Sequence, residues 1–210
     1  MTLNHRDETI HAILMAKVRV LSLQQIATRF FGSDFSNAKR TLNRLLDKRI
    51  LVEHKIVARI LPPSIEPMYA WEPGLAEPRY EHLSRHLKRR WLHLPTKRVA
   101  TYMAAIRYST IVGRRTKERL THPLQVSHDL GLASVFLHFY ENHHEVAQRW
   151  IGEDFMARYS SRVKSVPDAV ILSEAQTPAR AIEFGGLYSA KRLKKFHAYC
   201  FARELPYEVW

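Results

Sequence analysis

Two carboxylates in the last third of the sequence have the type and spacing of a catalytic pair. Asp168 stands directly before the apolar run Ala169–Leu172, and Glu183 lies near the end of a second apolar run. Short apolar runs separated by polar turn residues predict a β-hairpin, which would bring both side chains to one end of a sheet. Carboxylates placed in this way can hold Mg²⁺ and position a water for attack on a phosphodiester, and Glu153 is a candidate third ligand.

The residues around this pair resemble a known nuclease motif. Pro167-Asp168 followed by Glu183 is similar to the motif of the PD-(D/E)XK nuclease superfamily, in which a lysine stands two residues after the second acid. This sequence has Gly185 there. The resemblance implies that an active enzyme would need a lysine from the following helix, and we assign that role to Lys195, with Lys191 and Lys194 as neighbours on the same helix.

A structural role for the two carboxylates is the competing interpretation. Asp168 is also placed to cap a turn after Pro167. Glu183 is also placed to form an ion pair with Lys194 or Lys195 of the packed helix. The missing lysine favours this structural interpretation, because the two acids alone would make a weakened nuclease.

Positive charge is concentrated in the first 120 residues. The formal net charge is +13. Residues 1–60 hold 11 Lys and Arg against 5 Asp and Glu, residues 79–119 hold 12 against 2, and residues 120–210 hold 10 against 10. A surface this basic attracts polyanions through the release of counterions. The distribution therefore predicts that the front part of the chain binds nucleic acid.

Helical patterns near the N-terminus predict the element that would contact DNA. Apolar residues at helical spacing predict a first helix over 8–18, and Ser22 with Gln25 predicts a capping box for a second helix that Gly32 ends. A short turn before a third helix is typical of a helix-turn-helix. Residue types that contact base edges and phosphates lie on the outer face of that helix: Asn37, Lys39, Arg40, Asn43, Arg44 and Lys48. The alternative is a solvated basic face without a ligand.

Two β-type runs follow the third helix. Residues 50–61 are rich in apolar β-branched residues, residues 68–71 are apolar, and prolines lie between the two runs, and this pattern predicts a hairpin. Three helices followed by a hairpin indicate a winged helix-turn-helix domain over residues 1–75.

Residues 76–120 are predicted to form a basic helical connector. Leu83, Leu87 and Trp91 share one helical face, and a second set at helical spacing over 99–106 predicts another helix after Pro95. The cations assigned to the phosphate backbone here are Lys88, Arg89, Arg90, Arg114 and Arg115. An interface with an acidic partner protein is the alternative for this segment.

Residues 121–210 are predicted to form a small mixed α/β domain. A core helix from Ser127, the hairpin that carries the two carboxylates, a helix over 190–203 with outward cations, and a last strand over 206–210 suit a sheet covered by helices. The expected fold class is therefore α+β, with a C-terminal domain that resembles the PD-(D/E)XK nuclease fold.

Most of the chain also resembles the replication-relaxation family of plasmid and mobile-element proteins. The matching positions are Tyr69–Gly74, His128, Trp150, Glu153, Pro167-Asp168, Glu183, and Lys195 with Tyr199. The resemblance implies a winged helix joined to a nuclease-like domain, and a role in plasmid replication, mobilisation or their control.

We therefore expect a DNA-binding accessory or regulatory protein of a mobile element, with double-stranded DNA as its partner. The alternatives are a Mg²⁺-dependent endonuclease that uses Asp168, Glu183 and a helix lysine, and a scaffold that docks an acidic protein. The sequence has no run of about 18 apolar residues and a single cysteine, so we expect no membrane span and a cytoplasmic location. Homodimerisation stays open, because no heptad pattern requires it.

Overall fold

The protein has an α+β fold with two sheets that lie in two compact units. The computed structural model describes residues 3–61, 66–105, 120, 122–156 and 167–210. The first unit comprises residues 1–60 and 96–137, and the second comprises residues 61–95 and 138–210. The chain therefore passes between the units three times, which departs from the expected consecutive segments 1–75, 76–120 and 121–210.

The first unit combines helices with an antiparallel three-stranded sheet. Its elements are α1 (His5–Ala16), β1 (Leu21–Ser22), α2 (Leu23–Phe30), α3 (Phe35–Asp47), β2 (Leu51–Arg59), β4 (Thr96–Ala104) and the larger part of α5 (Pro123–Asn142). The strand order is β1-β4-β2. Ser22 and Gln25 form the predicted capping box of α2, and Gly32 follows that helix with a φ of 57°. Local sequence signals therefore set the first three helices as expected.

The core of the first unit lies between its helices and this sheet. Ile10 and Leu14 of α1, Ile26 of α2 and Leu42 of α3 are fully buried. Val20, Ala58, Met103, Val126 and Leu130 form a further cluster that joins the sheet to α5. Burial of this apolar surface stabilises the unit and leaves the opposite side of α3 exposed.

Two predictions for the region after α3 are wrong. The partner of β2 is not residues 68–71 but β4, in a nine-residue ladder from Leu51↔Ala104 to Arg59↔Thr96. The predicted helix over 99–106 is therefore a strand up to Ala104. Val99 and Met103 have helical spacing, yet Thr96, Val99, Thr101 and Tyr102 are β-formers, and the long ladder with β2 satisfies their backbone groups.

The second unit contains a mixed five-stranded sheet with the order β3-β8-β7-β6-β5. Its elements are β3 (Tyr69–Trp71), α4 (Tyr80–His93), α6 (His144–Gln148), β5 (Trp150–Gly152), α7 (Glu153–Met156), β6 (Ala169–Leu172), β7 (Pro178–Glu183), α8 (Ala190–Phe201) and β8 (Tyr207–Val209). The pairs β5–β6, β6–β7 and β3–β8 are antiparallel, and β7–β8 is parallel. Helix α8 connects the two parallel strands.

Aromatic packing explains why residues 69–71 join this sheet. Trp71 is buried and stacks on Tyr207, with ring centroids 5.6 Å apart, and it meets the ring of His197 edge-on at 5.0 Å. Leu83 and Leu87 of α4 lie in the same core cluster. The predicted strand over 169–172 is confirmed by β6. The predicted hairpin between residues 50–61 and 68–71 does not form, because β3 pairs with β8, about 138 residues further along the chain.

In the part of the chain that the structure describes, no helix is long and apolar enough to cross a membrane.

Candidate functional site

Helix α3 presents a polar, basic face to solvent. Asp34 caps the helix by accepting a hydrogen bond from the Asn37 amide at 2.9 Å. Ala38, Thr41, Leu42 and Leu45 are buried, and Leu46 is half-buried. The outward cations and amide predicted from the sequence are exposed: Lys39, Arg40 and Asn43.

Some of the predicted contact residues of α3 make bonds within the protein. Arg44 forms an ion pair with Asp7 of α1, whose side chain has no exposed surface, while 43% of the Arg44 side chain is exposed. Arg40 donates a hydrogen bond to Asn37 Oδ1 at 3.2 Å on the helix surface. Lys48 is half-buried at the end of the helix. Arg44 therefore serves as the counter-ion of a buried carboxylate, which the sequence pattern did not indicate.

The end of the β2–β4 ladder adds exposed cations, and two of them, Lys97 and Arg98, lie in the segment that was predicted as a helical connector. Val57 pairs with Arg98 and Ala58 with Lys97. Lys55 lies two residues before Val57 and therefore on the same face as Val57 and Arg98. Lys55, Lys97 and Arg98 are exposed, and so is 46% of Val57. The β-branched residues after Pro95 were the signal that these cations lie on a strand.

The cations of the predicted basic connector do not share one exposed surface. Arg90 of α4 donates a hydrogen bond to the Gly185 carbonyl at 3.4 Å, and its guanidinium lies 5.6 Å from the Phe184 ring centroid. Burial lowers the pKa of Arg90 to about 10. Arg89 is exposed and Lys88 is half-buried. The predicted contacts Arg114 and Arg115 lie outside the described residues.

The structure brings Asp168 and Glu183 together, as their spacing predicted. Both side chains are buried, with 5% and 3% of their surface exposed. Asp168 Oδ2 accepts a hydrogen bond from the Phe184 amide at 2.7 Å, and Glu183 Oε2 accepts one from the Asp168 amide at 3.3 Å. Asp168 therefore bonds to the amide that follows Glu183, Glu183 bonds to the amide of Asp168 itself, and the pair ties the start of β6 to the end of β7.

The cation beside this pair is an arginine. Arg192 Nη2 lies 3.2 Å from Glu183 Oε1 and also bonds to the hydroxyl of Tyr188, and the guanidinium stacks 3.6 Å from the Tyr188 ring centroid. Burial and the charges of Asp168 and Glu183 hold the pKa of Tyr188 well above its ordinary value. Lys195, the predicted substitute, is exposed, as are Lys191 and Lys194. Arg192 lies in the first turn of α8, capped by Ser189, and that position near the end of β7 was the signal that sequence reasoning missed.

The position of the motif lysine is filled by the core. A Cβ built on Gly185 would lie 2.8 Å from Leu87 Cδ1 and closer still to Cδ2. The Gly185 amide donates to the Trp210 carbonyl at 2.8 Å. Leu87 is fully buried, so a side chain at position 185 would need the core to move.

The residues present do not fit the Mg²⁺ site that the nuclease resemblance implies. Glu183 already bonds through both of its oxygens, and Asp168 Oδ2 is held by an amide. Glu153 bonds to Asp168 through its backbone amide at 2.9 Å, but its side chain is exposed. Within the described residues, no three His, Cys, Asp or Glu side chains are grouped closely enough to hold a metal ion.

No protein-family model, curated protein or solved structure matches the chain.

Proposed function

We propose that the chain is a DNA-binding protein in which the first unit forms a winged helix-turn-helix. Helix α3 is the recognition helix of this proposal, and the end of the β2–β4 ladder is its wing. The strand order β1-β4-β2, with three helices before β2, supports this assignment. The second strand of the wing comes from residues 96–104 rather than 68–71, so residues 61–95 are an insertion within the domain.

The observation that carries the proposal is the exposed face of α3. Lys39, Arg40 and Asn43 point away from a buried stripe, and they provide the side chains that reach phosphates, guanine and adenine in a major groove. The surrounding unit supplies a matching field, because residues 1–60 and 96–137 carry 18 Lys and Arg against 7 Asp and Glu. A face that combines base-reading side chains with excess positive charge suits duplex DNA.

The resemblance to the replication-relaxation family adds a biological role to the proposal. In this role the protein would be an accessory or regulatory factor of a plasmid or mobile element. The mixed sheet of the second unit, with Asp168 directly before β6 and Glu183 at the end of the neighbouring β7, supports a nuclease-like ancestry for that unit. The bonded state of both acids, and Leu87 at the place of the motif lysine, favour binding over cleavage.

A titration of a labelled duplex by fluorescence anisotropy tests the proposal. Arg40→Ala should weaken binding by about 1–3 kcal/mol if Arg40 contacts a base edge. Arg149→Gln is the matched control, because it removes one charge from the second unit, where Glu174 lies 3.9 Å from Arg149. Equal affinity of the Arg40 variant and the wild type over the whole salt range would contradict the assignment of α3.

Cleavage is tested separately with supercoiled plasmid. We expect no nicking by the wild type when Mg²⁺ is added. Nicking that requires Mg²⁺ and is lost in Asp168→Ala would establish the endonuclease alternative instead.

A further inference from the structure

Helices α4 and α8 form one layer on the sheet of the second unit. Leu83 and Leu87 of α4 and Leu193 and Phe196 of α8 lie in one core cluster with Tyr207 of the sheet. The buried residues of each helix recur every three or four positions. Both helices therefore turn one face to the sheet and the opposite face to solvent.

The charged residues on the solvent face of this layer are almost all cationic. The outward positions hold Arg85, Lys88, Arg89, Lys191, Lys194 and Lys195, of which only Lys88 is half-buried. Glu81 is the one acidic residue in the two helices. Among the described residues, none of these six cations forms an ion pair, whereas Arg149, Arg180 and Arg192 of the same unit all do.

The charge of the second unit is therefore polarised. Residues 61–95 and 138–210 carry 15 Lys and Arg against 13 Asp and Glu. Helices α4 and α8 account for 8 of these cations and for a single acid. The remainder of the unit is consequently acidic, and the basic layer is a local surface rather than part of a uniform charge.

We propose that this layer, the α4–α8 basic face, is a second DNA-binding surface that contacts the phosphate backbone. The inference rests on the proposed function, because it takes the duplex held by α3 as the ligand. Lysines and arginines spaced by three or four residues on a helix lie about 5–6 Å apart at Cβ, so several phosphates of one strand are within reach. The face carries four lysines and two arginines, and contacts of such cations with phosphates add affinity without base choice.

A second DNA-binding surface in the same chain would raise the affinity of the whole protein for the duplex. A second surface on the same chain that reaches this duplex binds its phosphates at a high effective concentration, and modest contacts then raise the total affinity. The energetic signature is the salt dependence, because each neutralised phosphate adds about 0.9 to the slope of log K against log salt concentration.

The experiment compares salt slopes for variants of the full chain on two unrelated duplexes. The test variant is Arg89→Gln with Lys194→Gln, one substitution on each helix. The matched control is Arg149→Gln with Arg180→Gln, which removes the same charge from arginines that carboxylates already neutralise. Thermal melts check folding, and Lys191→Gln with Lys195→Gln serves as the second test variant.

We expect both test variants to lower the slope by about 2 and to weaken both duplexes equally, while the control keeps the wild-type slope. An unchanged slope in the test variants, with binding still lost in Arg40→Ala, would overturn this inference and leave the proposed function standing. Unchanged binding in the test variants and in Arg40→Ala would overturn both. A test variant that affects one duplex only would overturn the inference as well, since a phosphate contact has no base preference.

Discussion

The α3 and β4 surface of the first unit and the residues around the sheet of the second unit use the same charged residue types in different ways. In the first unit, Lys39 and Arg40 of α3 and Lys97 and Arg98 of β4 are turned to solvent. In the second unit, Arg192 and Arg180 bond to carboxylates, and Arg90 bonds to a backbone carbonyl. The first unit has a net charge of +11 and the second of +2. An arginine is therefore informative about function only when its partner inside the protein is known.

Arg44 is an exception in the first unit, because it lies on the proposed DNA-contact helix and yet forms an ion pair with the buried Asp7. Arg44→Ala would leave the buried carboxylate of Asp7 without its counter-ion. Loss of one partner of a buried pair costs about 3–5 kcal/mol, and the partial exposure of Arg44 reduces our expectation to about 2–3 kcal/mol. Chemical denaturation measures the effect.

Arg40→Ala is the control on the same helix. It should change the free energy of unfolding by less than about 0.5 kcal/mol, because Arg40 is exposed and bonds only to Asn37 within the described residues. Equal destabilisation by the two substitutions would remove the distinction between a structural and a ligand-binding arginine on α3.

Gly185→Lys tests whether the second unit can accommodate a lysine at the position where the nuclease motif has one. The new Cβ would press on Leu87 in a filled core, so we expect the free energy of unfolding to fall by about 1–3 kcal/mol. Gly186→Ala is the control, because its nearest neighbour would be Trp91 at an ordinary 3.6 Å. A stable Gly185→Lys variant that nicks plasmid in the presence of Mg²⁺ would show that the acidic pair is still competent.

Arg192→Ala tests whether the ion pair between Arg192 and the buried Glu183 stabilises the second unit. Glu183 would remain buried without its guanidinium, yet 55% of the Arg192 side chain is exposed and water can partly replace it. We therefore expect a loss of about 1–2 kcal/mol in the free energy of unfolding. Arg192→Lys should recover part of that loss, and a variant as stable as the wild type would mean that Arg192 does not stabilise the pair.

Lys97→Gln with Arg98→Gln tests whether the solvent-exposed cations at the end of β4 contact DNA. Both residues lie at the exposed end of β4, so the melting temperature should stay within about 1 °C of the wild type. The salt slope of DNA binding should fall by about 2, since each substitution removes one phosphate contact. An unchanged slope would exclude the ladder end from the interface.

Short-range signals predicted the helices of the first unit well. Ser22 and Gln25 at the start of α2, and the buried stripe of α3, depend on residues three or four positions apart, and the sequence pattern contains that information directly. Strand partners do not have this property. Tyr69–Trp71 pairs with Tyr207–Val209, and the β2–β4 ladder joins residues 37 to 53 positions apart, so propensity found the strands of the β2–β4 ladder only in part.

The acidic pair was predictable and its environment was not. A hairpin places Asp168 near Glu183 through a turn of a few residues, and the structure confirms that proximity. Leu87 at the place of the motif lysine depends on how α4 packs on the sheet. The contact of Arg192 depends on the orientation of the first turn of α8. The packing of Leu87 is a tertiary fact that no spacing in the sequence encodes, whereas the position of Arg192 in the first helical turn after β7 was a signal present in the sequence.

Lysine footprinting with and without a duplex tests the central claim most directly. Acetylation of the full chain, read by mass spectrometry, reports how accessible each amine is. If the outer face of α3 lies against DNA, Lys39 should lose most of its reactivity when the duplex is added at low salt and regain it at high salt, while Lys17 at the end of α1 keeps its own. Unchanged reactivity of Lys39 in a saturated complex would contradict the account.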